Sequence, residues 1–232
     1  MVVLGSVGGV TGSPTDGSAR GGTDGRVARG PEAAIAVLSG ASLAFILAMF
    51  SLGLARETLH FNCSWGIGGE WGVDGTWVCA DGIGYLFVAV ILGGMSALLC
   101  LAGLLTAVTP PSRGRSIVFV SLAAVSLVWV GWWTYYAATA YTGPRPEGET
   151  GLGVWAVAVL PALVLAVLGL LSAAVGALTR HRWSLWVLWG GITLIVAGTV
   201  VQPGIGVASM VSAGLLVAAG VGRRGLADGL HG

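Results

Sequence analysis

Six stretches of this chain contain no Asp, Glu, Lys, Arg or His: 33–54, 83–108, 117–141, 154–178, 185–201 and 206–221. Segments this long and this apolar outrun what a soluble core can bury, and they make lipid the solvent for most of the surface. Only 9% of the residues are charged, against roughly 25% in a soluble domain. A span needs ~20 residues at 1.5 Å rise to cross ~30 Å of hydrocarbon. The first four stretches meet that, and the last two sit at or just under the ~17-residue lower limit. In lipid each backbone N–H and C=O must pair within its own segment, which requires helices. A β-barrel would show alternation over ~10-residue strands, and none is present. The expectation is an all-α, polytopic transmembrane helical bundle of six spans over residues 32–222.

The last pair of spans carries an alternative. Val201-Gln202-Pro203-Gly204 is a turn signal, since Pro presets φ and Gly accepts positive φ. It fits a tight hairpin between two short spans, or the tip of a re-entrant hairpin after a five-span bundle. Residues 1–31, rich in Gly, Ser, Thr, Asp and Arg, read as a disordered cytoplasmic tail. Residues 223–232 read as a short one. The opening Met1-Val2-Val3-Leu4 lacks the basic region and the length of a signal peptide.

Arg placement orients the bundle. With the N-terminus inside, Arg20, Arg26, Arg29, Arg113, Arg115, Arg180, Arg182, Arg223 and Arg224 lie inside, and only Arg56 and Arg145 lie outside. That asymmetry predicts a plasma-membrane protein with both termini cytoplasmic. All basic residues are Arg and Gly reaches 40, a bias expected of a GC-rich bacterial genome. A net charge of +1 with scattered Arg leaves no nucleic-acid footprint.

Ionisable residues inside a membrane usually mark proton relays, ion paths or counter-ions, and these spans have none. His60, His181 and His231 fall in loops or the tail, so a bis-histidine haem site within the bundle is excluded. No cofactor is expected. Transport of a neutral or apolar solute needs no buried charge and survives.

The outer loop 55–82 holds Cys63 and Cys79 on the oxidising side, where thiols pair. Both are equidistant from Trp71, as are Trp65 and Trp77. A hairpin centred there sets Cys opposite Cys and Trp opposite Trp on one face. A disulfide closing such a loop contributes ~3 kcal/mol. Trp65, Trp71 and Trp77 are the recognition candidates of this loop. No metal is expected, because His60, Cys63 and Cys79 with one carboxylate fall short of the usual ligand set. Cys100, in the second span, reads as a small buried hydrophobe.

In the third span Trp129, Trp132, Trp133 and Tyr136 follow i, i+3, i+4, i+7 spacing on one helix face. An interfacial belt explains most of them, but Trp129 lies ~18 Å from the inner end of the span at 1.5 Å per residue. A wall for lipid or a flat apolar ligand is the alternative. Small residues at four-residue spacing (Gly40 with Ala44, Gly169 with Ala173, Ala173 with Ala177, Ala208 with Ser212) suit close helix packing. Pro161 is expected to kink the fourth span. The functional expectation is a non-catalytic accessory or envelope protein acting by association with another membrane protein. A small transporter or lipid-handling protein for a neutral or apolar substrate is the alternative.

Overall fold

The computed structural model describes residues 29–66, 73–179 and 183–228. The 1–28 part of the expected N-terminal tail, Trp71 and His181 lie outside the described residues. Helix α1 (Arg29–Gly53) ends in a π-helical turn, Leu54–Thr58. Strands β1 (Cys63–Trp65) and β2 (Trp77–Cys79) follow, then a 3-10 turn at Gly82–Tyr85 leads into α2 (Leu86–Val108). The rest of the chain is α3 (Arg113–Thr139), α4 (Gly151–Ala158), α5 (Leu160–Leu178), α6 (Ser184–Val201) and α7 (Gly206–Asp228). Among the described residues, six helical segments are long and apolar enough to cross a bilayer. The protein is an all-α polytopic membrane bundle.

The two short candidates are separate helices of 18 and 23 residues, joined by a turn at Pro203–Ile205. Gln202 ties that turn down. Its Nε2 donates to the Ala158 carbonyl at 3.0 Å, and its Oε1 accepts from the Gly204 N–H at 3.3 Å. Helix α6 lies against α5 from Gly176, beside Ser184 and Leu188, to Gly198, beside the Ala162 carbonyl. Contact along that whole length is what two crossing helices make, rather than the short arms of a re-entrant hairpin. Helix α7 continues to Asp228, beyond the expected end at 221.

Helix α7 is the centre of the bundle. Inside it 89% of the span is buried, against 17–39% for the other five. This accounts for its composition: a helix ringed by others has room for small side chains and no need of an apolar belt. Gly40 and Gly214 bring α1 and α7 together, and a Cβ on Gly40 would lie 2.7 Å from the Met210 carbonyl oxygen. Gly169, Ala173 and Gly191 do the same for α5 and α6, so the small-residue spacing marks real helix contacts. Three serines pin α3 and α7. Ser116 and Ser126 donate to the carbonyls of Ala219 and Ala208, and Ser212 donates back to that of Ala123.

Pro161 interrupts the fourth span. The helix stops at Val159 and restarts with Pro161 in the first turn of α5, where its missing N–H is unneeded. Arg115, near the start of α3, is buried. It is 4% exposed, turned inward over the Phe119 ring, and donates to the Thr109 carbonyl at 2.8 Å. It braces the α2–α3 turn from within.

Candidate functional site

At one end of the bundle the loop after α1 folds as a two-stranded cap. The chain enters it through left-handed φ at His60 (50°) and Asn62 (58°). The register pairs Cys63 with Cys79 and Trp65 with Trp77, and the two sulfurs form a disulfide. With both sulfurs bonded to each other, neither is available to a metal. Trp65 and Trp77 meet edge to face at 5.3 Å. His60 stacks on Trp77, and the Arg145 guanidinium lies over both Trp77 and Tyr141. The same guanidinium donates to the carbonyls of Ala138 and Tyr141 at 3.0 and 3.1 Å. A cation there also suits the negative end of α3. The backbone N–H of Trp65 donates to the Tyr141 hydroxyl at 3.1 Å. Both described loop tryptophans are thus engaged in fastening the cap to α3.

His60 and Glu149 come within 3.8 Å, too far for a hydrogen bond, and both facing atoms lack one. Burial pushes the His60 pKa below its ordinary value of 6.5. Glu149 opposes that shift and Arg145 adds to it.

The aromatic face of α3 splits along its length. Trp132 and Tyr136 are exposed and stack on each other, with centroids 6.0 Å apart. Trp133 is buried, and Trp129 is half-buried. A stripe with i, i+3, i+4, i+7 spacing straddles two ridges. Here one ridge faces outward and the other faces the bundle.

Where α1 and α2 diverge, a groove of about 440 Å³ opens sideways, with Val207 and Val211 of α7 as its floor. Its walls are Ala, Leu, Gly and Phe, with Cys100 toward the end away from the cap and Ser51 and Ser96 toward the cap. Behind Ser51 lie two spaces of about 10 Å³ each, one beside Trp129 and one beside Trp133. Each has room for about one oxygen atom.

Three buried polar groups on the residues that line these two spaces have no hydrogen-bond partner among the described residues: the Ser51 hydroxyl and the Trp129 and Trp133 indole N–H groups. Neighbours show how such groups are normally served. Ser42 and Ser96 donate to the carbonyl four residues back, Ser126 donates across to α7, and the Trp155 indole donates to Thr134 at 3.1 Å. Ser51 makes neither kind of bond, though it is only 5% exposed. A buried donor without a partner costs roughly 1–3 kcal/mol. Sequence reasoning found Trp129 and Trp133 but missed Ser51 and the groove. A serine in an apolar helix normally bonds its own backbone, so nothing in the local sequence distinguishes this one.

Fold and site together define a membrane-embedded helical bundle with a disulfide-stapled cap and a lateral apolar groove that has a polar end. No protein-family model matches the chain, and no curated protein and no solved structure matches it.

Proposed function

We propose that this protein is non-catalytic and works by binding, and that it holds a neutral, apolar ligand taken sideways from the bilayer. The observation that carries this reading is the groove between α1 and α2, which is lined by apolar side chains and open on the side a lipid would approach. It extends from Ala41 to Leu52 along α1, about 17 Å at 1.5 Å per residue, which suits an acyl or prenyl chain. The described spans offer no acid–base pair with which to perform chemistry on such a ligand. Arg placement supports a plasma-membrane setting with both termini cytoplasmic and the cap outside, and the composition supports a bacterial source.

The test is lipid retention. Purified in mild detergent, the protein should carry a neutral lipid in fixed ratio. Gly93→Leu should expel it, because a Cβ at Gly93 meets nothing within 4 Å and the longer side chain fills the groove without moving backbone. Retention unchanged by Gly93→Leu would end this reading.

Association with another membrane protein through the cap is the second reading. A cleft of about 530 Å³ between β1, β2 and the end of α3, reached by Ser64, Val78 and Tyr141, favours it. A partner retained in fixed stoichiometry by the native cap, and released by Val78→Asp, would support this reading.

A further inference from the structure

We infer that the ligand of the groove carries an uncharged carbonyl oxygen, which the Ser51 hydroxyl and the Trp129 indole N–H bind at the cap end. This rests on the groove reading above and adds the chemical class of what fills it.

The polarity of the site selects the chemistry. The two indole N–H groups can only donate, the Ser51 hydroxyl can donate or accept, and the hydroxyls of Ser96 and Ser126 beside them already donate to backbone carbonyls. What the indoles lack is an acceptor. A ligand hydroxyl could supply one, but its own proton would then need a serine oxygen to take it, and an amine would bring still more protons. A carbonyl oxygen brings two lone pairs and no proton.

Charge is excluded by the surroundings. No ionisable side chain other than Cys100 lines the groove or the two small spaces. A carboxylate or phosphate there would lose its hydration with no counter-charge in return. Depth narrows the class further. Ser51 lies seven residues before Thr58, about 10 Å below that end of the span. A phospholipid held at the interface by a charged head would have to drag the head inward to place its carbonyl there. An acyl ester without a charged head, or a prenyl quinone, reaches this depth without that cost.

The experiment uses the full chain in dodecyl maltoside, a detergent with no carbonyl group. Two photoreactive probes of equal chain length are compared, each with a diazirine at the chain end: methyl palmitate and hexadecane. The expected result is that the ester labels peptides spanning 41–52 and 89–104 several-fold more than the alkane does. Ser51→Ala, alone and with Trp129→Phe, should lower ester labelling by roughly three- to tenfold, the loss of one to two hydrogen bonds. Alkane labelling should not change. Competition by a diacylglycerol or by a prenyl benzoquinone then identifies the source of the carbonyl, and competition by neither overturns the inference. Equal labelling by ester and alkane, or ester labelling indifferent to Ser51→Ala, also overturns it, because the donors would then hold only water. Failure of both probes to favour the groove peptides would instead remove the groove reading beneath it.

Discussion

His60 lies flat on Trp77, with ring centroids 4.2 Å apart and planes within 9° of parallel. The stack joins the end of α1 to the second strand of the cap, and its electrostatic setting gives it a pH dependence. Burial favours the neutral imidazole, Arg145 acts in the same direction, and Glu149 acts against them. The folded pKa therefore lies below the unfolded one. Stability from neutral His60 is fully present above pH ~6.5 and is lost as pH falls through the lower, folded pKa. Protease sensitivity of the 60–80 segment should accordingly rise between pH 7.5 and pH 5. His60→Gln should flatten that profile, and a cap that tightens on acidification would contradict the assignment.

Replacing Cys63 and Cys79 together by Ser should loosen the cap and leave the bundle intact. The bridge closes a loop with a sequence separation of 16, for which chain-entropy arguments give about 3 kcal/mol. Far-UV circular dichroism should remain strongly helical while tryptophan emission shifts toward that of exposed indole. Substantial loss of helicity would mean that the cap organises the spans as well as covering them.

Gly214→Ala should destabilise far more than Gly93→Ala. A Cβ on Gly214 would lie 2.8 Å from the Ala36 carbonyl and 3.0 Å from the Gly40 Cα, both backbone atoms that cannot swing aside. Separating α1 from α7 to admit it should cost about 1–3 kcal/mol, whereas Gly93 faces open space. Thermal unfolding in detergent, followed by static light scattering, would rank the two.

Ser51→Ala should leave the ligand-free protein as stable as the parent or more so, by about 1 kcal/mol. It removes a buried hydroxyl that has no partner, and removing an unserved polar group relieves its desolvation cost. The same thermal measurement, made on protein stripped of lipid, checks it. A marked loss of stability would show that the hydroxyl is served in the empty protein.

Single cysteines introduced at Ser13 and Asp228 should resist membrane-impermeant thiol reagents in intact cells, while one at Thr150 should label. The Arg asymmetry and an even number of crossings require this pattern. Ready labelling at Asp228 would mean an odd number of crossings.

The architecture was legible because lipid leaves so few options. Length and the absence of charge placed all six spans, but α7 runs on to Asp228 and the expected fourth span is divided at Val159. The pairing of Cys63 with Cys79 and of Trp65 with Trp77 was legible too, because symmetry about one residue defines a hairpin register. Which face of each helix meets which neighbour was not. Leu and Ala are as apolar toward lipid as toward another helix, so hydropathy carries no inside and outside here. That is why Trp129 and Trp132 could not be separated by spacing, and why nothing in the sequence shows that Arg115 turns inward. Ser51 was illegible for a different reason: its singularity is a bond not made, and that exists only once the neighbours are in place.

The position of α7 has a consequence for biogenesis. Five of the described spans precede it in the chain, so they leave the ribosome and enter the bilayer before their common centre exists. Until Gly206–Val221 arrives, Gly40 has no Gly214 to approach, and Ser116 and Ser126 have no α7 carbonyls to meet. Until then nascent α1 and α3 have α2 to pack on but lack these contacts to the centre, which leaves them open to whatever chaperone or protease surveys unassembled spans. A ribosome that stops after Gln202 would release a ring without its axle, and such a product should be cleared rather than accumulate.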